Sequence, residues 1–211
     1  MTQKYFFFGF GQVAKHFVSE LIRKKQKFKF DVTTTSATKK RKFRGKSYLS
    51  LKFNGKEFDH KILNALKTSE YLLVSIPPLN GSDLVLSKFG KIIKSNNFKR
   101  IIYLSATSVY GNHQGNWVNE KSTLKPSSKF GRSRFIAEQN WINSYKKYKI
   151  NLVILRLAGI YSIKNNPLKR LKEGPKIFIS KKNQFFSRIR LEDISKVLIK
   201  AFKNKKIIGE T

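Results

Sequence analysis

The first residues whose spacing can do chemistry are Gly9, Gly11 and Ala14, in Gly9-Phe10-Gly11-Gln12-Val13-Ala14. They follow the apolar run Lys4-Tyr5-Phe6-Phe7-Phe8. They open a segment in which Val13, Phe17, Val18, Leu21 and Ile22 recur at helical spacing. Between a strand and a helix, this pattern suits a pyrophosphate. Gly9 permits the tight turn, Gly11 has no Cβ to hold a ligand away from backbone, and Ala14 lets helix and strand pack closely. The helix N-terminus then offers free N–H groups and the positive end of its dipole. A structural turn without a nucleotide is the alternative. Gly9 through Ala14 are candidate dinucleotide-binding residues.

A second strand, read over Phe28–Thr35, ends where the adenosine ribose of a dinucleotide would lie. Its end carries hydroxyls, Thr35 and Ser36, followed by Lys39, Lys40 and Arg41. A carboxylate there would accept the ribose 2′-OH of NAD, whereas hydroxyls and cations suit the 2′-phosphate of NADP. NADP is therefore expected over NAD, with Thr35, Ser36 and Lys39 at the cofactor. Asp31, the acid nearby, is read as a solvated residue at the strand start, pointing away.

Further apolar runs end in small polar residues or proline. They are Tyr71–Ile76 before Pro77-Pro78, Arg100–Ser105 before Ala106-Thr107, and Asn151–Leu157. Helices are predicted over 84–94, 135–148 and 193–202, a loop over 111–126, and a basic stretch of no assigned structure over 39–46. Near-continuous apolar strands alternating with helices predict a parallel sheet covered on both faces. That is a doubly wound, Rossmann-type α/β fold forming one domain over residues 1–211. Ligands in such sheets bind beyond the carboxyl ends of the strands, which brings Ser75, Ile76, Pro77 and Ser105 to the cofactor.

Several segments resemble the extended short-chain dehydrogenase/reductases, and within them an atypical branch described as NAD(P)-dependent epimerase/dehydratase-like. They are Phe8–Ala14, Leu72–Pro78, Tyr103–Gly111, Gly131–Gln139, Leu155–Tyr161 and Ser187–Ile194, in the family's order. The resemblance implies a Tyr general acid/base, a Lys four residues on that lowers its pKa, a Ser or Thr that holds the substrate oxygen, and hydride exchange with a nicotinamide. Carried over, the Tyr and Lys positions fall on Phe130 and Arg134, and the Ser/Thr position on Ala106. All three depart from the pattern. Phe130 has no ionisable proton, Ala106 has no hydroxyl, and Arg134 keeps its charge and a fork that suits ribose or phosphate.

Replacement proton carriers are Tyr110, His113 and, through a bound water, Thr107. Against these stand core packing for Tyr110 and a surface loop for His113. Ser105 and Thr107 flank Ala106, but adjacent strand residues point to opposite faces, so they substitute only where the strand end is irregular. Trp117 and Tyr161 either line a substrate pocket or cover the sheet. Arg188, after Phe185-Phe186-Ser187, resembles the arginine that holds a substrate phosphate in extended members; a solvated Arg is the alternative. Lys206–Thr211 resembles the approach to a strand that the family continues into its substrate lobe. Residues 157–211 are expected to contribute a reduced or truncated substrate-binding region.

Composition narrows the classes. The 211 residues are 40% hydrophobic, enough for a core, with no apolar run of membrane-spanning length. Absence of Cys excludes disulfides and thiolate chemistry, and the three His are widely spaced, so no metal site is expected. A cytoplasmic protein is expected. Lys and Arg total 45 against 12 acids, a net charge of +33. Non-specific, salt-dependent attraction to polyanions follows. The basic residues are mostly Lys and spread along the chain, as compositional drift would leave them, and no motif for specific nucleic-acid binding is present. Three functions remain open: an NADP-dependent oxidoreductase, epimerase or dehydratase with a rearranged acid acting on a small or sugar-nucleotide-like substrate; a non-catalytic NADP-binding sensor or scaffold; and a basic polyanion-binding protein.

Overall fold

The computed structural model describes residues 2–79, 81–174, 185–204 and 209–210. Strand β1 (Gln3–Phe8) leads into α1 (Gln12–Arg23) and β2 (Phe28–Thr34). Two further strands, β3 (Lys39–Phe43) and β4 (Lys46–Lys52), precede α2 (Lys61–Lys67), β5 (Tyr71–Val74), α3 (Leu84–Ser95) and β6 (Arg100–Ala106). A 3-10 turn (Thr107–Val109) and a loop reach α4 (Lys129–Tyr148) and β7 (Leu152–Leu157). Then come β8 (Gly159–Tyr161), α5 (Pro167–Glu173), β9 (Arg188–Arg190), α6 (Leu191–Lys203) and β10 (Gly209–Glu210).

The main sheet runs β10-β7-β6-β5-β1-β2-β4-β3, and β8 pairs with β9 separately. Every pairing in the main sheet is parallel except β3 with β4. The chain folds as the expected doubly wound α/β sheet. The strand order reverses between β1 and β5, so a crevice opens beyond their carboxyl ends. Alternation along β1 feeds both layers. Tyr5 and Phe7 pack with α1 and α6, while Phe6 and Phe8 pack with α2, α3 and α4. All four rings are buried, which is why the strand reads as continuously apolar.

Two expectations change. The basic stretch 39–46, to which the sequence assigned no structure, forms strand β3 and the turn of a hairpin with β4. Its turn residues Arg44 and Gly45 both have positive φ, +47° and +80°, as a tight two-residue connection requires. Its first strand is exposed and charged, so it carried no apolar alternation to read. Helix α4 begins six residues before the predicted start, because its first turns are exposed and polar. Ser128 fixes that start, its Oγ accepting the Gly131 N–H at 3.0 Å.

Candidate functional site

Gly9 lies at the switch point with φ +91°, a conformation only glycine adopts cheaply. A Cβ there would also stand 2.8 Å from Ser75 Oγ and 3.0 Å from Ile76 Cγ2. Ser75 Oγ donates to the Phe8 carbonyl at 2.9 Å, and the Gly9 N–H donates to Thr33 Oγ1 at 2.9 Å. Thus β1, β2 and β5 clamp the loop from both sides. Gly11 is different. It is the N-cap of α1, has extended backbone, and a Cβ built on it would meet nothing within 4 Å. No side chain caps the helix and no acid stands in its first turn. Gln12 is exposed at the start of α1, and Val13 and Ala14 are buried beneath. The result is a ledge of helix N–H groups under open space, suited to an anion.

Beside this ledge is a cleft of about 360 Å³. It is lined by Gly9, Phe10, Ile76 and Phe53, by Val32 through Thr35, by Tyr48 and Ser50 of β4, and by Lys15 and Arg41. Among the described residues, no Asp or Glu lines it. Ser36 is exposed and hydrogen-bonds Thr34 Oγ1 at 2.9 Å. Lys39 projects from β3 without lining the cleft. Arg41, two residues on and on the same face, does so instead. Lys15 is the cation that sequence reasoning missed, whereas Arg41 stands in the basic run already read after the second strand. Lys15 belongs to the helix that the glycines begin, and Arg41 arrives only through the β3–β4 pairing.

Asp31 corrects its expectation. It lies inside β2, half-buried beside Phe6, and its Oδ1 accepts the Leu49 N–H at 2.9 Å. It fastens β4 to β2 rather than being a solvated entry residue. A larger cleft, about 430 Å³, lies between α3 and α4, away from the glycine loop.

At the end of β6, Arg134 Nη1 donates to the Leu104 carbonyl at 3.3 Å, which lays the guanidinium against the strand end. Phe130, one turn earlier on the same helix face, is 81% exposed. Ala106 closes the strand in extended conformation and Thr107 begins the 3-10 turn, so the strand end is irregular. Thr107 is half-exposed and its hydroxyl makes no hydrogen bond among the described residues. Ser105 is buried, and its Oγ has no hydrogen-bond partner among the described residues. Pro77 is exposed in the loop after β5.

Tyr110 is buried, and its hydroxyl accepts from Arg156 Nη1 at 3.2 Å. Arg156 also donates to Glu138, and its proton is held more firmly than usual: the hydrogen bonds and charge of Glu138 and Tyr110 outweigh the loss of solvation. His113 is pinned in the loop, Nε2 lying 3.1 Å from the Thr123 carbonyl. Trp117 is fully exposed, Tyr161 partly so, and Arg188 stacks on Phe186 with its guanidinium 5.0 Å from the ring centre. Lys206, Ile207, Ile208 and Thr211 lie outside the described residues; Gly209 and Glu210 add the short strand β10 beside β7. No helix among the described residues is long and apolar enough to cross a membrane.

Residues 89–182 match the NAD dependent epimerase/dehydratase family. A dTDP-D-glucose 4,6-dehydratase from Dictyostelium discoideum is 29% identical over 100 residues, which span 42% of this chain and 23% of that protein. A conserved protein of unknown function from Silicibacter pomeroyi has the same fold with a TM-score of 0.80 and 30% identity, covering 99% of this chain and 71% of that one. The UDP-glucuronic acid 4-epimerase from Bacillus cereus, solved in complex with NAD, superposes with a TM-score of 0.79 at 18% identity. That match covers 99% of this chain and 76% of the epimerase.

Proposed function

Because the chain belongs to the NAD dependent epimerase/dehydratase family, we propose that it binds NADP across the carboxyl ends of β1, β2, β5 and β6. We further propose that it acts as an oxidoreductase, epimerase or dehydratase on a small or sugar-nucleotide-like substrate. One observation carries the cofactor assignment. The uncapped α1 N-terminus, with open space above Gly11, runs directly into a cleft that holds Thr hydroxyls, Lys15 and Arg41 and no carboxylate. The ledge suits the pyrophosphate, and the cations and hydroxyls suit the adenosine 2′-phosphate better than a bare ribose.

When bound, NADP supplies a hydride acceptor or donor. Arg134 brings a fixed positive charge to the end of β6, and Phe130 presents an apolar ring that moves no proton. Tyr110 and His113 are each engaged, with Arg156 and with the Thr123 carbonyl. Thr107 Oγ1 makes no hydrogen bond among the described residues, so a proton relayed by water passes best through it. The same facts favour a second reading, a non-catalytic NADP-binding sensor, since no group in place is an acid of the usual kind. Calorimetric titration with NADPH and NADH tests the binding. A screen for NADPH oxidation against carbonyl compounds separates enzyme from sensor. Absence of binding by either dinucleotide overturns both.

A further inference from the structure

The hairpin β3–β4 ends the main sheet, and six of the eight residues 39–46 are cations: Lys39, Lys40, Arg41, Lys42, Arg44 and Lys46. None of them is in an ion pair among the described residues. The acids nearest in the fold are committed elsewhere. Asp31 accepts the Leu49 N–H, Glu57 pairs with Lys52, and Asp59 accepts from the Thr38 hydroxyl and the Lys61 N–H. Cross-strand pairing sorts the cations by face. Arg41 opposes Tyr48 and turns toward the cofactor cleft, whereas Lys40 opposes the exposed Leu49 and Lys42 opposes Ser47 on the other face. Lys40 and Lys42, two residues apart on one face of the strand, stand about 7 Å apart, a stride that suits successive phosphates, and Arg44 follows in the exposed turn.

We propose that Lys40, Lys42 and Arg44 form a docking strip for the phosphate backbone of a double-stranded nucleic acid, separate from the cofactor cleft. Phosphates are favoured over a lipid surface because the hairpin has no exposed aromatic anchor. Phe43 and Tyr48 are turned inward, with ring centres 5.4 and 5.3 Å from that of Phe10. Contacts of this kind read no bases, so binding is independent of sequence. A charged edge strand also blocks edge-to-edge pairing without any partner, and the test must separate the two roles.

The experiment compares the protein with the variant Lys40→Gln/Lys42→Gln/Arg44→Asn. Asn is chosen because it tolerates the positive φ at 44. A charge-matched control, Lys88→Gln/Lys91→Gln/Lys146→Gln, removes exposed cations from α3 and α4. Anisotropy of mixed-sequence DNA duplexes is followed between about 50 and about 200 mM salt. The hairpin variant should lower the slope of log K against log salt by about 2–3, close to 0.9 per lost phosphate contact. The control should change it far less, and NADPH affinity should stay unchanged in both. An equal loss in hairpin variant and control overturns the proposal in favour of bulk charge. Unchanged duplex binding in the hairpin variant reduces the strip to edge protection. Hairpin-dependent binding to anionic vesicles but not to duplex overturns it in favour of a membrane surface.

Discussion

Arg156 on β7 holds Glu138 on α4 with its Nε and Nη2, the shortest contact 2.9 Å, and the two side chains are 4% and 0% exposed. Arg156 also reaches the Tyr110 hydroxyl, so one buried cation joins sheet, helix and the turn after β6. Removing one member of a buried pair leaves an uncompensated charge. Glu138→Gln should cost about 3 kcal/mol in urea unfolding. The double variant Glu138→Gln/Arg156→Met should recover part of that. A single variant within about 0.5 kcal/mol of the parent would show that the pair is not a structural hinge point.

The two loop glycines should separate stability from binding. Gly9→Ala meets both a positive φ and Ser75, and should lose about 1–3 kcal/mol. Gly11→Val enters open space at ordinary φ, so it should cost about 1 kcal/mol at the cap and still fold. It should nevertheless abolish dinucleotide binding. Unchanged NADP affinity in a folded Gly11→Val protein would sink the assignment of the ledge.

Arg41 and Lys39 give a test of cofactor preference. Arg41→Ala should weaken NADPH binding about tenfold or more, the worth of a charge-assisted hydrogen bond, and leave NADH nearly unchanged. Lys39→Ala should affect neither. Equal losses for both dinucleotides in Arg41→Ala would remove the 2′-phosphate from this cleft.

Asp83 predicts a pH dependence. It caps α3, accepting the Leu86 N–H at 2.8 Å and the Trp141 indole N–H at 3.0 Å. Burial raises its carboxyl pKa despite these bonds. A raised acid binds its proton more tightly folded than unfolded. Its contribution is therefore greatest below the unfolded pKa of about 3.9 and falls as pH rises to the folded value. The stability of the parent relative to Asp83→Asn, from urea unfolding across a pH series, should shrink over that window and then level. A gap that widens with rising pH would contradict the burial-driven shift.

Restoring the family's acid tests the mapping of the substituted site. Phe130→Tyr with Arg134→Lys supplies a phenol and a cation to lower its pKa from about 10, and Ala106→Ser supplies the missing hydroxyl. Weak NADPH-dependent reduction of small diketones should appear in the triple variant and be absent from the parent. NADPH affinity should change little. A variant that binds NADPH without turnover above the parent would place these three residues away from the reacting centre.

Much of this was legible in the chain by itself. Tyr5 through Phe8 announce a strand buried on both faces, and Gly9, Gly11 and Ala14 announce the strand-to-helix turn, because period and backbone freedom are local properties. The chemistry available at Ala106, Phe130 and Arg134 is equally local, since a side chain carries the same functional groups in any fold. What only the tertiary structure decided depends on pairing across distance. The hairpin at 39–46 was invisible because its charged outer strand buries nothing, and the register of β3 on β4 is what brings Arg41, rather than Lys39, to the cleft. Asp31 looked solvated because its partner, the Leu49 N–H, is supplied by a strand 18 residues away. Glu138, Arg156 and Tyr110 are scattered in sequence, and their union rests on the cost of burying a charge, which can be met only where three elements converge.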